Sequence, residues 1–370
     1  MYSAAKKPHQ DVNADEKKHA VKQAVRINAF ANWKPSQQVL QINSLDCHTG
    51  GEPLRIITSG FPVLPGKRIM DKRAYCKQYY DHLRTSLMFE PRGHADMYGC
   101  LIVAAEREDS DFGAVFMHNE GYSTMCGHAI IALTRVAIES GAVECTGPLT
   151  MLKIDVPAGQ ITAYAETDNG KVTRTYFDNV PSFVATRNAS VHVDGLGMVR
   201  LNLAYGGAYY AYVDATDIGL SLDASNYKHI IATGRRIKAA VQASLPIQHP
   251  YDPDLGFLYG TIFSAPSSTP GVHSRNVCVF ADGELDRSPT GSGVSGQAAI
   301  LYANGQLRLG QSITIESIIG SQFKVSVYHP QSFGFHQAII PRVEGSAHVT
   351  GRNSFFIDPE DPLKEGFIFR

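Results

Sequence analysis

The 370-residue sequence predicts a mixed α/β protein of two similar domains that face a shared cleft. Three observations predict it. Short β-rich runs divided by Gly and Pro fill most of the chain, and only a few convincing helices interrupt them, too irregularly for a doubly wound fold. Two of those helices open on matching Gly-flanked segments 164 residues apart, about one domain length.

In chain order, residues 1–37 are polar, rich in Lys, Gln, Asn and Asp, and are expected to form a mobile extension with a short amphipathic helix near residues 20–30. The acids Asp11, Asp15 and Glu16 argue against a mitochondrial transit peptide. From Val39 the texture turns to strands such as Leu54-Arg55-Ile56-Ile57-Thr58, Leu101-Ile102-Val103, Ala114-Val115-Phe116-Met117 and Asn276-Val277-Cys278-Val279-Phe280. Helices are predicted over residues 72–87, 127–140, 226–243 and 293–303. The second reads Cys126-Gly127-His128-Ala129 and ends at Gly141; the fourth reads Thr290-Gly291-Ser292-Gly293 and ends at Gly305. Each is a small or polar residue, a glycine, a polar residue and an apolar helix closed by glycine, spanning 15 positions in both cases. The simplest account gives each domain one helix N-terminus aimed at the cleft. The expected division is residues 38–182 plus 344–370 for the first domain and 183–343 for the second.

Composition excludes several classes. Lys plus Arg (34) balances Asp plus Glu (35), which removes the electrostatic footprint of a nucleic-acid binder. The longest apolar stretch, around residues 129–138, is broken by Arg135 and falls short of a membrane span. Six cysteines scattered along the chain make no disulfide framework, and no signal peptide precedes them, so a reduced, cytoplasmic protein is expected.

The two helix starts carry the chemistry. A helix N-terminus offers unpaired N–H groups and partial positive charge, which suit a carboxylate. A cysteine there is expected to have a lowered pKa and to serve as base or nucleophile, which fits Cys126, while Gly127 lets a ligand approach the backbone. Two opposed helix ends around one small carboxylate place Cys126 on one face and Thr290 on the other, suiting removal of the neighbouring carbon's proton. Competing constellations are weaker. Cys47 and His48 are adjacent on a strand and point to opposite faces. His118, Cys126 and His128 match no zinc spacing, so no metal is expected. His94 and Asp96 read as a turn or a satisfied polar pair. Gly206-Gly207 and Gly291-Ser292-Gly293 lack the residues of a phosphate loop or dinucleotide fingerprint.

Met125-Cys126-Gly127-His128, Asp286-Arg287-Ser288-Pro289-Thr290-Gly291-Ser292-Gly293 and His48-Thr49-Gly50-Gly51-Glu52-Pro53 resemble the signature blocks of the proline racemase family, which also holds hydroxyproline epimerases and trans-3-hydroxy-L-proline dehydratases. The resemblance runs from about Val39 to the C-terminus. It implies a diaminopimelate epimerase-like fold, two α/β domains around a central cleft, a homodimer, a hydroxylated proline as small-molecule substrate, and no cofactor. It also implies roles. Cys126 matches the first catalytic cysteine, Gly127 and His128 one carboxylate cradle, Gly291 and Ser292 its counterpart, and Asp286 the residue that holds the ring nitrogen. Tyr98 and Phe280 fall at the family's aromatic walls. Thr290 stands where racemases and epimerases have their second cysteine, a Cys-plus-Thr pair like that of the dehydratases, which Leu87-Met88-Phe89-Glu90-Pro91-Arg92-Gly93-His94 also resembles. A threonine hydroxyl is too weakly acidic to partner a thiolate in two-base racemisation. Dehydration of trans-3-hydroxy-L-proline to 1-pyrroline-2-carboxylate is therefore the expected activity. Racemisation of proline, epimerisation of 4-hydroxyproline and inactive amino-acid binding are the alternatives.

Overall fold

The computed structural model describes residues 14–369, with side chains from Glu16 onward. The polar extension is thus described only in part, and its residues 1–13 lie outside the described residues. Its helix, α1 (Ala14–Ala31), is longer than the short one expected and exposes every side chain described. Just beyond it, Trp33 packs edge-on against Phe356, with ring centroids 5.4 Å apart.

The first half then runs β1 (Leu40–Thr49), β2 (Glu52–Ser59), α2 (Ile69–Tyr79), α3 (Asp81–Met88), β3 (Tyr98–Val103), β4 (Phe112–His118), β5 (Gly121–Tyr122), α4 (Gly127–Glu139), β6 (Leu149–Val156), β7 (Gly159–Asp168) and β8 (Lys171–Asp178). The second runs β9 (Ser182–Val193), β10 (Gly197–Tyr205), β11 (Tyr209–Asp214), α5 (Tyr227–Ser244), β12 (Leu258–Ala265), β13 (Ser274–Phe280), β14 (Glu284–Leu285), α6 (Gly291–Ala303), β15 (Ser312–Glu316), β16 (Gln322–Phe333) and β17 (His336–Gly345). The last strand, β18 (Ala347–Ile357), returns to pair with β1. The helix expected over residues 72–87 is two helices, because Tyr80 leaves helical geometry (φ −127°, ψ 19°) between them.

Strand pairing exposes the internal repeat. In the first half β1–β2 is antiparallel, β2–β3 parallel, β3–β4 and β4–β5 antiparallel, β4–β6 parallel, and β6–β7 and β7–β8 antiparallel. The strands β10 to β17 repeat that order of pairings one for one. Each set curls around one central helix, α4 or α6, whose residues are buried almost throughout. A helix apolar over most of its surface is what a barrel-like interior accepts; α4 emerges only toward its end, where Arg135 pairs with Glu139 at 3.0 Å. The halves join through β17, which pairs with both β8 and β9. Across that seam Arg342 grips Asp178 (2.6 Å) and lies over the rings of Tyr164, Tyr176 and Tyr328. The fold is the mixed α/β, diaminopimelate epimerase-like architecture expected from the sequence. Among the described residues no helix is long and apolar enough to cross a membrane.

Candidate active site

The backbones of α4 and α6 meet at their first residues. A Cβ on Gly127 would lie 2.6 Å from Gly291 Cα, and a Cβ on Gly291 would lie 2.6 Å from Gly127 Cα. No larger residue fits at either position without moving a helix, so glycine is required on both sides by close approach. Where the helix starts meet, a small cavity is lined by Tyr98, Cys126, Gly127, His128, Phe280, Asp286, Thr290, Gly291 and Ser292, all nine residues singled out in the sequence. Met125, Tyr210 and Tyr259 complete the lining. Intrahelical bonding begins at Ile130 N and Val294 N. The N–H groups of Gly127, His128, Gly291 and Ser292 therefore belong to the unbonded first turns of two helices, a setting that favours a carboxylate.

Cys126 is the N-cap of α4, in extended backbone, and its sulfur accepts from Ala129 N at 3.4 Å. His128 Nδ1 lies 3.2 Å from that sulfur. Burial nevertheless pushes the thiol well above its ordinary range, outweighing those bonds, and the Asp286 charge adds to the rise. This corrects the sequence expectation of a lowered pKa. A helix terminus favours the thiolate, but a sulfur only 4% exposed loses more solvation than the terminus returns. Burial likewise lowers His128 to about 4, so its imidazole is neutral.

Thr290 is finished differently. It is the N-cap of α6 at φ 66°, makes no side-chain cap, and donates its hydroxyl to Asp286 Oδ2 at 2.7 Å. Asp286 is itself fixed, its Oδ1 accepting from Ser288 N at 2.7 Å. Ser292 Oγ lies 2.8 Å from the Tyr210 hydroxyl. Aromatic rings form the wall. Tyr98 stands edge-on to His128 (4.8 Å) and 6.2 Å from Phe280, and Tyr259 lies 5.5 Å from Phe280. Behind them His118 touches Tyr98, Tyr259 and Phe280 and bonds Glu284 of the other half at 2.9 Å.

The block His48-Thr49-Gly50-Gly51-Glu52-Pro53 braces both helix starts from outside the cavity. Thr49 donates to His128 O at 2.8 Å, and Glu52 accepts from Arg287 N at 2.7 Å. Glu52 is fully buried beside Asp286, and burial pushes its carboxyl well above the carboxylate range. Cys47 faces the core, with burial pushing its thiol up to about 12, while the His48 ring packs on His348. They form no nucleophile pair. Asp96 sits in a turn and bridges to Arg287 at 2.6 Å. Among the described residues no group of three or more His, Cys, Asp or Glu is placed to hold a metal ion.

The sequence pattern missed Tyr210 and Tyr259. Both lie in ordinary strand-like runs, and only the β11–β12 pairing and the curl of the sheet bring them to the helix starts. No local signal marks them.

Known proteins resemble this chain over most of its length. The model of the family described as "Proline racemase" matches residues 44–368. A trans-3-hydroxy-L-proline dehydratase of Colwellia psychrerythraea is 57% identical over 344 residues, covering 92% of this chain and 97% of that protein. A 3-hydroxyproline 2-epimerase of Burkholderia multivorans is 44% identical over 329 residues, covering 89% and 98%. Among solved structures, a hydroxyproline epimerase of Agrobacterium vitis with bound trans-4-hydroxy-L-proline superposes with a TM-score of 0.84 at 28% identity, covering 91% of this chain and 97% of that one.

Proposed function

This chain belongs to the proline racemase family, and we propose that it dehydrates trans-3-hydroxy-L-proline to 1-pyrroline-2-carboxylate. The observation that carries the reading is the asymmetry of the two faces. One presents a thiol at a helix start; the other presents a threonine hydroxyl already committed to Asp286.

The substrate carboxylate lies between the helix starts, on the N–H groups of Gly127, His128, Gly291 and Ser292, and the ring nitrogen lies against Asp286. In the trans isomer the 3-hydroxyl and the Cα hydrogen share a face of the ring. The Cys126 thiolate takes the Cα proton, and the electron pair left on Cα forms the C2–C3 double bond. The C3–O bond breaks with its electrons going to oxygen. The new thiol gives that oxygen its proton, so water departs and the thiolate returns. The enamine then tautomerises to the imine acid. The N–H groups at the helix ends stabilise the enolate-like carboxylate while the proton is in transit. Thr290 supports Asp286 and packs against the ring. The scheme transfers protons and expels water with no net oxidation or reduction, and it asks for no cofactor.

Incubation with trans-3-hydroxy-L-proline, read as appearance of the cyclic imine acid, tests the activity; unchanged substrate would refute it. The epimerase among the relatives supports a second reading, inversion at Cα with the hydroxyl retained. It would appear as solvent deuterium at Cα of recovered hydroxyproline without loss of water. The reading includes a homodimer, the extension 1–37 and two domains, 38–182 plus 344–370 and 183–343; the repeated strand pairings of the two halves support the division into domains.

A further inference from the structure

We propose that Tyr210 is a positioning residue for the substrate carboxylate: its phenol holds the Ser292 side chain so that the serine hydroxyl hydrogen is left to donate to that carboxylate. The proposal rests on the reading of the two helix starts as a carboxylate cradle.

Two hydroxyls that share one hydrogen bond have one hydrogen to spare. Ser292 Oγ and the Tyr210 hydroxyl lie 2.8 Å apart, and among the described residues neither side chain has a second hydrogen-bond partner. The residues are 2% and 1% exposed, and both line the cavity. A buried hydroxyl hydrogen without an acceptor is costly, so its acceptor is expected in what fills the cavity. Chemistry decides which hydrogen that is. A phenol is a stronger acid than an alcohol, hence the better donor and the poorer acceptor, and burial keeps this phenol protonated by pushing its pKa well above 10. Tyr210 therefore donates to Ser292 Oγ, and the serine hydrogen is the free one. It belongs to the residue whose own N–H lies in the unbonded first turn of α6, so O–H and N–H can meet the same carboxylate. Accepting from the phenol polarises the serine O–H and strengthens the bond it makes in turn.

Tyr212 shows what a structural hydroxyl does in the same place. Two residues further along β11, it donates to Gly293 O at 2.8 Å and takes no part in lining the cavity. The internal repeat sharpens the contrast. Arg55 pairs with Gly99 in the first half as Ala211 pairs with Thr261 in the second, so Leu54 takes the place of Tyr210. Leu54 has no hydrogen to give, and His128, which matches Ser292, sets its Nδ1 3.2 Å from the Cys126 sulfur instead. The half that carries the thiol commits its cradle side chain to sulfur. The half that carries the threonine keeps a hydroxyl for the anion.

Binding of pyrrole-2-carboxylate, a flat ring with one carboxylate and no hydroxyl to lose, reads the cradle without turnover. By isothermal titration Ser292→Ala should bind it about tenfold or more weakly than the parent, the loss of a hydrogen bond to a charged acceptor, and Tyr210→Phe about fivefold more weakly. Tyr212→Phe should bind as the parent does while melting at a lower temperature. With trans-3-hydroxy-L-proline, kcat/KM of Tyr210→Phe should fall by at least the factor seen in binding, because the carboxylate gains charge in the transition state. Parental affinity in folded Tyr210→Phe overturns the proposal and leaves the dehydratase reading intact. An equal loss in Tyr212→Phe also overturns it, since any loosening of the α6 turn would then weaken binding. Should Tyr210→Phe not fold, parental affinity in Ser292→Ala overturns it. A parent that binds no pyrrole-2-carboxylate would refute the cradle itself, and the proposal with it.

Discussion

At the start of α4, Cys126 lies in extended backbone (φ −144°) and turns its sulfur onto the N–H of Ala129; at the start of α6, Thr290 sits at φ 66° and gives its hydroxyl to Asp286. The helices are of equal length, 13 residues, and grow from the same point in the same order of strand pairings. One ancestral-looking unit thus presents two chemistries. The first terminus leaves a polarisable acid–base group facing the cavity. The second ties its hydroxyl into a carboxylate anchor and holds a β-branched residue in the left-handed region, a conformation that costs about 1–3 kcal/mol and persists only where surroundings enforce it. In the proposed reaction pseudo-symmetry supplies the carboxylate cradle, and its local breaking decides which face moves the proton.

The largest effect should follow from removing the group that makes the faces differ. Cys126→Ser should abolish dehydration, a loss of about a hundredfold or more, because a neutral hydroxyl is no base at neutral pH. The melting temperature should stay close to the parent's. Near-normal turnover in that variant would mean that the thiol face is not the working face.

Asp286→Asn attacks the other terminus. Its carboxylate holds Thr290 and, in the proposed complex, the ring nitrogen, so substrate binding and turnover should weaken together, by about tenfold or more in kcat/KM. Steady-state kinetics with unchanged values would remove Asp286 from the substrate's surroundings.

His128 sharpens the comparison through pH. Its pKa is lowered from 6.5 to about 4 by burial, so the unfolded chain binds a proton there before the folded one does. Stability from this group is complete above pH 6.5 and is lost as pH falls toward 4, amounting to roughly 3 kcal/mol in full. Thermal melts should fall across that window, and His128→Asn should flatten the fall. An equal slope in the variant would assign the acid sensitivity elsewhere.

Much of this was legible in the sequence because glycine and helix starts leave local marks. The segments at Cys126 and Thr290 announce two matched helices, and close backbone approach explains why Gly127 and Gly291 flank them. What the sequence hid depends on three dimensions. Tyr80 breaks the helix expected over residues 72–87 with no glycine or proline to mark the place, and its ring packs against Phe61 and Tyr75. Tyr259 and Tyr210 reach the cavity through strand register, and alternation along a strand does not say which face will meet a distant helix end. The acidity of Cys126 was misjudged for the same reason: a helix terminus is a local feature, whereas the desolvation that opposes it comes from walls contributed by both halves.

The smallest expected effect tests whether threonine belongs to the anchor or to the chemistry. Thr290→Ala removes the hydroxyl that bonds Asp286, a contribution of about 1 kcal/mol net, so dehydration should slow by about fivefold. It also removes the β-branch from a left-handed residue, which offsets part of any lost stability. Thr290→Cys instead makes the two termini chemically alike. Solvent deuterium should then enter Cα of 4-hydroxyproline or proline, while dehydration persists because Cys126 still serves the face that carries both leaving groups. The two variants discriminate by mass spectrometry of recovered substrate alongside imine-acid formation. If Thr290→Ala loses as much activity as Cys126→Ala, the threonine hydroxyl must itself carry a proton, and the division into a working face and an anchoring face fails.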